Sequence, residues 1–434
     1  MGIPDEGTIA RRLEGCSVIA PDSFTGALLA AEGLKDGAVM LNGPTGCKFH
    51  HGALCEALYP RSGSLDPLRS SDRFYFGQHR VPCTYLEDED YVSGTARKLD
   101  EAIPVILSKG HSMITVINSP GAALIGDDLK RIVQRSHPNI PVAIMETCAF
   151  SQSLGQGFQD CLIEMLDAVP LLPAERMPTI NLVGVSIMDH GWDGGTRQLK
   201  RLLSLCGIRV GAVLSAGSTV KELSTAKSAT LSVVLDPEMG SRVANHLRTT
   251  TGAVRISPGQ PIGFKGTSRW VKEICDALGK DSSPALDVIR REEKRCAFQL
   301  ARHSSLTGLP KGVTFSIRAR SSIVLGLLEF LHGYLGMVPV CVDCIDGGSE
   351  EVRAYLQRNG LAEAVDTVMF EQPCHIMFGD GNDICMSSST LGVPGIEISP
   401  PYRGVARIRD VSLWGEEGAV DLLDAIVRNL GDRW

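Results

Sequence analysis

GAVMLNGPTGC, residues 37–47, is an apolar run that leads into a glycine-rich turn and ends at a cysteine. A short apolar run that stops at a turn is typical of a buried strand in a parallel sheet. Similar runs recur along the chain, and helical stretches separate them. The runs are SMITVINSP (112–120), PVAIMET (141–147), INLVGVS (180–186), IRVGAVLSA (208–216), ATLSVVLD (229–236), GVTFSI (312–317), VPVCVD (338–343), HIMFGDG (375–381) and GIEIS (395–399). This alternation predicts an α/β fold with parallel sheets.

The number of these runs fits three doubly wound α/β units. A chain of 434 residues also exceeds what one hydrophobic core usually serves. The Pro-rich segment VPLLPAERMP (169–178) is interpreted as a linker. Ser-Ser-Pro-Ala (282–285) predicts the start of a long amphipathic helix. The expected domains are 1–174, which carries the candidate cysteines described below, 175–282 and 283–434.

The composition excludes several classes of protein. The net charge is −7, and the 43 Lys and Arg residues form no basic stripe, which argues against nucleic-acid binding. No apolar run is long enough to cross a bilayer, and the first residues lack the pattern of a secretory signal. A cytoplasmic protein without a membrane span is therefore expected. Its thirteen cysteines are expected to be reduced thiols, some of them metal ligands.

Three cysteines are predicted at neighbouring strand ends. Gly43 and Gly46 let the backbone before Cys47 turn sharply and approach a bulky group closely. Cys83 stands in RVPCTYLEDED (80–90), where Thr84 or a following acid is expected to cap a helix. Cys148 follows another strand, in ETCAFSQSLG (146–155). The Cys-x-x-Cys of Cys341 and Cys344 suggests zinc or redox chemistry. Burial in a strand is favoured, because the sequence has no second cysteine pair at zinc-finger spacing.

In these and other segments the chain resembles the nitrogenase component-1 family. That family includes the alpha and beta subunits, their cofactor-assembly paralogues and the dark-operative protochlorophyllide reductases. The matching segments occur in family order over nearly the whole chain. They are GCSVIAPDSFTGALLAAEGLKDGAVMLNGPTGC (15–47), LIGDDL (124–129), SQSLG (151–155), PIGFKGTSRWVKEI (261–274) and WGEEGAVDLLDAI (414–426).

The resemblance implies three Rossmann-like domains, a related alpha-like partner subunit and a heterotetramer. It also implies an iron–sulfur cluster shared between the two subunits, either P-cluster-like or four-iron, with Cys47 and Cys83 as ligands from this chain. Electrons would come from a separate, homodimeric, ATP-dependent iron–sulfur reductase. No nucleotide is expected on this chain, which has no Walker A pattern.

Departures from the family pattern are also informative. Where the family usually has a cysteine before Leu-Ile-Gly-Asp-Asp, this chain has Asn-Ser-Pro (118–120). Cys148 is the preferred substitute ligand. The alternatives are a smaller cluster, ligation through the oxygen of Ser119, or additional thiols from the partner.

The segments expected to hold the active-site cofactor, 231–239 and 397–410, contain no cysteine and no histidine respectively. The chain therefore resembles a beta subunit that leaves this cofactor to its partner.

The leading hypothesis is a subunit of a nitrogenase-like oxidoreductase that relays electrons to an active site on the partner. Methylthio-alkanes are the preferred substrate class, which would make the chain the K-type subunit of a methylthio-alkane reductase. A tetrapyrrole reductase subunit and a scaffold for cofactor assembly are the alternatives. A structural partner without metal is a third possibility, and it predicts a colourless protein after anaerobic purification.

Overall fold

The computed structural model describes residues 21–48, 81–136, 138–146, 152–170, 177–346, 348–365, 367, 369–402 and 410–431. In this part of the chain, eleven strands form three sheets in which every named strand pair is parallel. The predicted α/β fold with parallel sheets is thus confirmed. None of the described helices is both long and apolar enough to span a bilayer.

The first sheet has the strand order β1-β2-β3. Its strands are β1 (Gly37–Asn42), β2 (Met113–Asn118) and β3 (Val142–Met145). β1 and β2 are buried along their whole length and pair from Gly37 with Met113 to Asn42 with Asn118. The two strands therefore end level, and the residues that follow them start from the same edge of the sheet.

Besides a helical turn at 45–48, six helices accompany this sheet in the described part of the chain. They are α1 (Ser23–Glu32), α2 (Asp88–Ser93), α3 (Ala96–Leu107), α4 (Pro120–Ala123), α5 (Leu129–Arg135) and α6 (Leu154–Ala168). Apolar side chains of α3 and α5, including Leu99, Ile103 and Ile132, pack with Met40 and Val116 of the sheet. Burial of these side chains fixes the strands that lead to the candidate ligands.

The second sheet has the order β5-β4-β6-β7. Its strands are β4 (Met177–Val183), β5 (Arg209–Val213), β6 (Ala229–Val234) and β7 (Val254–Ile256), and helices α7 (Trp192–Leu205), α8 (Val220–Ala226) and α9 (Pro237–Thr251) lie between them in sequence. β4 begins inside the predicted linker, so the linker prediction is wrong for 177–178, whereas 171–176 lie outside the described residues. The sequence pattern missed β7 because it has only three residues and none of them is fully buried.

The third sheet has the order β11-β10-β8-β9. Read from the other edge this is β9-β8-β10-β11, which is the same relative order as β5-β4-β6-β7 in the second sheet. Its strands are β8 (Thr314–Ala319), β9 (Val338–Cys344), β10 (Ile376–Asp380) and β11 (Gly395–Ser399). The helices around it in sequence are α10 (Gly263–Leu278), α11 (Ser283–Thr307), α12 (Ser321–Leu331), α13 (Glu350–Arg358), α14 (Gly381–Met386) and α15 (Gly415–Gly431). The helix predicted to open the third domain is α11.

Each sheet falls inside one of the three predicted domain ranges, although the boundaries themselves stay a prediction. By contact density, 21–188 and 209–257 form one compact unit, which contains the first two sheets. The third sheet belongs to a second unit, which includes 189–208 and residues from Pro258 onward.

Helices α1 and α6 cross at two glycines in the first unit. A Cβ atom at Gly26 would lie 2.0 Å from the carbonyl oxygen of Leu154, and one at Gly157 would lie 1.9 Å from the carbonyl oxygen of Ser23. No side chain fits at such distances, so the helix backbones touch. Phe24 and Phe158 beside the crossing are fully buried. This crossing therefore requires glycine on both helices.

Asp383 is a buried acid at the carboxyl end of β10 in the second unit. Burial and the neighbouring carboxylate of Asp380 raise the pKa of Asp383 from 3.8 to about 6, while the charge of Arg318 opposes that rise. The folded state thus holds this proton more tightly than the unfolded chain does. Stability is consequently lost as the pH rises from about 4 through about 6.

We expect Asp383→Asn to increase the stability of the protein at about pH 8 more than at about pH 5, because the amide stays neutral. The amide oxygen can still accept from Arg318 Nη1, which lies 3.5 Å from Asp383 Oδ1. Thermal unfolding of the variant and the unaltered protein across this pH range measures the difference. An identical pH dependence in both proteins would contradict the raised pKa.

Candidate functional site

The candidate site begins where β1 ends and a separate segment joins it. Cys83 forms a parallel bridge with Leu41 of β1. The amide of Leu41 donates to the carbonyl of Pro82 at 2.9 Å, and the amide of Thr84 donates to the carbonyl of Leu41 at 3.0 Å. Since β2 pairs with β1 on its other side, this segment brings Cys83 to the free edge of β1. Cys47 follows the same strand, in the helical turn 45–48.

The Cys47 thiol lies close enough to Cys83 to influence the ionisation of Cys83. Burial is the largest cause of the raised pKa of Cys83, and the neighbouring Cys47 raises it further, whereas Lys48 lowers it. The Cys83 thiol donates to the carbonyl of Gly43 at 3.1 Å, and its sulfur accepts from the amide of Tyr85 at 3.4 Å. The structure therefore brings together the first two predicted ligands, and Cys83 is held from two sides.

Ser119 joins the pair from the end of β2. Burial is also the largest cause of the raised pKa of Cys47, and a hydrogen bond with the Ser119 side chain opposes it. The Ser119 hydroxyl accepts from the amide of Ala122 at 3.2 Å, as the N-cap of α4. A Cβ atom at Gly43 would lie 2.8 Å from this hydroxyl oxygen, so the glycine makes room for Ser119 beside the thiols.

These residues fit the ligand chemistry of an iron–sulfur cluster. Thiolates are the usual protein ligands of such clusters. Gly46 is exposed, and a Cβ atom there would meet no described atom within 4 Å, so no described residue fills the space beside Gly46. The described residues form no group of three or more metal-binding side chains, so they supply a thiol pair. Cys148, the predicted third ligand, lies outside the described residues.

A buried polar network supports the ends of β1 and β2 and the segment around Cys83, and the sequence patterns did not reveal it. The amide nitrogen of Asn42 donates to Asn118 Oδ1 at 2.8 Å and to Thr95 Oγ1 at 3.1 Å. The Thr84 hydroxyl donates to Asn42 Oδ1 at 2.9 Å and accepts from the amide of Gly43 at 3.0 Å. Satisfied networks of this kind hold backbone segments in one arrangement. In the sequence, only the asparagines that end β1 and β2, Asn42 and Asn118, indicated this network.

Lys48 and two tyrosines also surround the thiols. The Lys48 side chain is buried, and its ammonium donates to the Tyr85 hydroxyl at 2.6 Å. The pKa of Tyr91 is raised by burial first and next by Cys47, and Cys83 contributes as well. Sequence reasoning had not singled out these residues, although Lys48 directly follows Cys47 and Tyr85 lies two positions after Cys83. Thr84 hydrogen-bonds Asn42 and does not cap α2. Glu87 is the N-cap of α2, which confirms the prediction that an acid after Thr84 caps this helix.

Both cysteines of the Cys-x-x-Cys pair, Cys341 and Cys344, belong to strand β9. Cys341 is fully buried in β9, where burial raises its pKa to about 12. Its thiol donates to the carbonyl of Thr367 at 3.2 Å. Cys344 ends the same strand and is half-buried. These surroundings agree with the interpretation of this pair as strand residues.

Comparisons with known proteins identify the family of this chain. The family model "Nitrogenase component 1 type Oxidoreductase" matches residues 23–430. A light-independent protochlorophyllide reductase subunit from Methylobacterium radiotolerans is 28% identical over 48% of this chain and 41% of its own length. The corresponding protein from Synechococcus sp. (strain WH7803) is 26% identical over 71% and 62%. The nitrogenase iron-molybdenum cofactor biosynthesis protein NifE of Rhodobacter capsulatus is 24% identical over 65% and 57%.

The chain thus spans about half the length of the curated relatives that it matches. The fold is similar to that of a chain in the solved structure "Nitrogenase Cp1 at pH 6.5", with a TM-score of 0.78 and 16% identity over 96% of this chain and 94% of that one. A second structure, "Nitrogenase Cp1 at pH 5", has a TM-score of 0.73 at 17% identity over 96% and 89%. With a family match over most of its length, the chain belongs to the nitrogenase component 1 type oxidoreductases.

Proposed function

We propose that this chain is the beta-like subunit of a nitrogenase-like reductase and holds part of an iron–sulfur cluster on Cys47 and Cys83. The observation that carries the proposal is the meeting of these two thiols with Ser119 at the ends of neighbouring strands. A thiol pair is half of the usual four-cysteine set. The other ligands would come from a related alpha-like subunit, and Cys148 remains a proposed third ligand of this chain.

Exposed apolar side chains of α2 and α4 support the proposal that a partner subunit covers these helices. Tyr91 and Val92 belong to α2, and the Tyr91 hydroxyl lies near Gly121 of α4. Val92 is 90% exposed, and Leu124, the C-cap of α4, is 89% exposed. Where exposed apolar side chains form a contiguous patch, they mark protein contacts. A partner subunit would cover them and exclude water from the cluster.

In the proposed reaction a cluster supplies one-electron transfer at a potential that its protein surroundings set. Cys47 and Cys83 bind it, while Ser119 and the Asn42 network fix the positions of the two thiols. The electron donor would be a separate ATP-dependent, homodimeric iron–sulfur reductase, and the active-site cofactor would lie on the alpha-like partner. Two copies of each subunit would form the heterotetramer.

The substrate class that we propose is a tetrapyrrole. Two of the relatives above are subunits of light-independent protochlorophyllide reductase, and this favours tetrapyrrole reduction over the methylthio-alkanes preferred from the sequence. Cofactor assembly is the second candidate, because NifE is named for cofactor biosynthesis. A scaffold would release its cluster to an acceptor protein, whereas a reductase subunit would keep it through many turnovers.

Anaerobic co-purification of the chain with its native partner, followed by iron quantitation and EPR spectroscopy, tests the proposal. We expect at least about one iron per chain and a cluster signal that changes on reduction. A complex with less iron would refute the cluster assignment. Multiple turnovers with a tetrapyrrole, ATP and the reductase component would favour the reductase, and transfer of the cluster to an acceptor without turnover would favour the scaffold.

A further inference from the structure

Lys48 places a buried positive charge beside the proposed cluster ligands. Its side chain is only 8% exposed. The ammonium lies 2.6 Å from the Tyr85 hydroxyl and 5.0 Å from the centroid of the Tyr85 ring. Among the described residues, no carboxylate forms a salt bridge with it. Burial of an ammonium is costly unless negative charge or hydrogen bonds compensate it. A cluster with its thiolates would supply that negative charge.

Tyr85 holds this ammonium from a strained backbone conformation. Its φ angle is 50°, in the left-handed region that a bulky residue rarely adopts. Its amide donates to Cys83 Sγ at 3.4 Å, and its carbonyl accepts from Lys98 Nζ at 2.7 Å. Lys98 is itself fixed by a 2.7 Å ion pair with the buried carboxylate of Asp90. Strain of this kind persists only where the surroundings enforce it, and it is concentrated at functional sites.

Tyr85 thus forms hydrogen bonds with both Lys48 and Cys83. The charge of Lys48 already acts on Cys83, where it favours the thiolate. An electron that enters a cluster on Cys83 adds one negative charge and forms or breaks no bond in this chain. A fixed positive charge nearby stabilises the reduced form relative to the oxidised form.

We infer that the buried positive charge of Lys48 raises the reduction potential of the cluster on Cys47 and Cys83. Tyr85 holds the Lys48 ammonium in place. This inference rests on the proposed function and assigns a further role at the same site. It concerns the ease with which the cluster accepts an electron.

Lys48→Met in the intact complex with its partner tests the inference. EPR-monitored titration with dithionite, an external one-electron reductant, gives the midpoint potential. We expect the one-electron reduction equilibrium to become at least about tenfold less favourable, a fall of about 59 mV. Lys48→Arg keeps the charge and should restore most of the potential. Tyr85→Phe removes only the hydroxyl and should give a smaller fall. Lys130→Met removes an exposed lysine of α5 and should change nothing.

Iron content separates the possible failures. Equal iron and equal potentials in Lys48→Met and the unaltered complex would overturn this inference and leave the cluster intact. Loss of iron in Lys48→Met but not in Lys48→Arg would also overturn it, because Lys48 would then act in cluster binding. An unaltered complex without iron would refute the proposed function, and the inference would fail with it.

Discussion

Cys47→Ala and Cys83→Ala should each remove most of the iron from the complex. The two thiols are held at one edge of the first sheet, and the described residues place no third thiol beside them that could replace either one. Substitution of a group that only hydrogen-bonds a metal ligand already lowers metal affinity by about 10–100-fold, so loss of a ligand should cost at least as much. Iron per chain and the EPR signal after anaerobic purification measure this loss.

Cys385→Ala is the matched control for the cysteine variants. Cys385 is an exposed thiol of α14, in the other compact unit, and has no proposed ligand role. Its variant should keep the iron content of the unaltered complex. Full iron in both Cys47→Ala and Cys83→Ala would rule out these residues as ligands. Loss in only one variant would restrict the contribution of this chain to a single thiol.

Gly157→Ala is expected to destabilise the first compact unit by about 3 kcal/mol, at the upper end of the range for overpacked cores. The added methyl would lie 1.9 Å from the Ser23 carbonyl oxygen and 2.5 Å from its carbonyl carbon. Backbone atoms cannot rotate away as a side chain can, so α1 and α6 must separate. In a unit of this size each 1 kcal/mol lowers Tm by about 2–4 °C, which thermal unfolding resolves easily.

Gly431→Ala is the control for this substitution. Gly431 is the last residue of α15, and a Cβ atom there would meet no described atom within 4 Å. Alanine also has the higher helix propensity, so the control should leave Tm unchanged or raise it slightly. A Tm for Gly157→Ala equal to that of the unaltered protein would show that the two helices do not cross this closely.

Local sequence patterns predicted much of the secondary structure because they report burial directly. Runs such as 37–43 and 112–120 are apolar along the strands that the sheet buries on both faces. The same reasoning missed β7, whose three residues are partly exposed, and it placed the start of β4 in a linker because of a nearby proline. A strand with few residues or little burial leaves too weak a pattern to be recognised.

The sequence by itself determined the fold class, the family resemblance and the selection of Cys47 and Cys83, since these depend on periodicity and on motifs of neighbouring residues. Only the tertiary structure decided which groups surround the thiols. The pairing of Leu41 with Cys83, the hydrogen bond from Asn42 to Asn118, and the contact of Lys48 with Tyr85 join residues 37–76 positions apart. Such contacts arise when β1, β2 and the Cys83 segment align their ends, and no local pattern encodes that alignment.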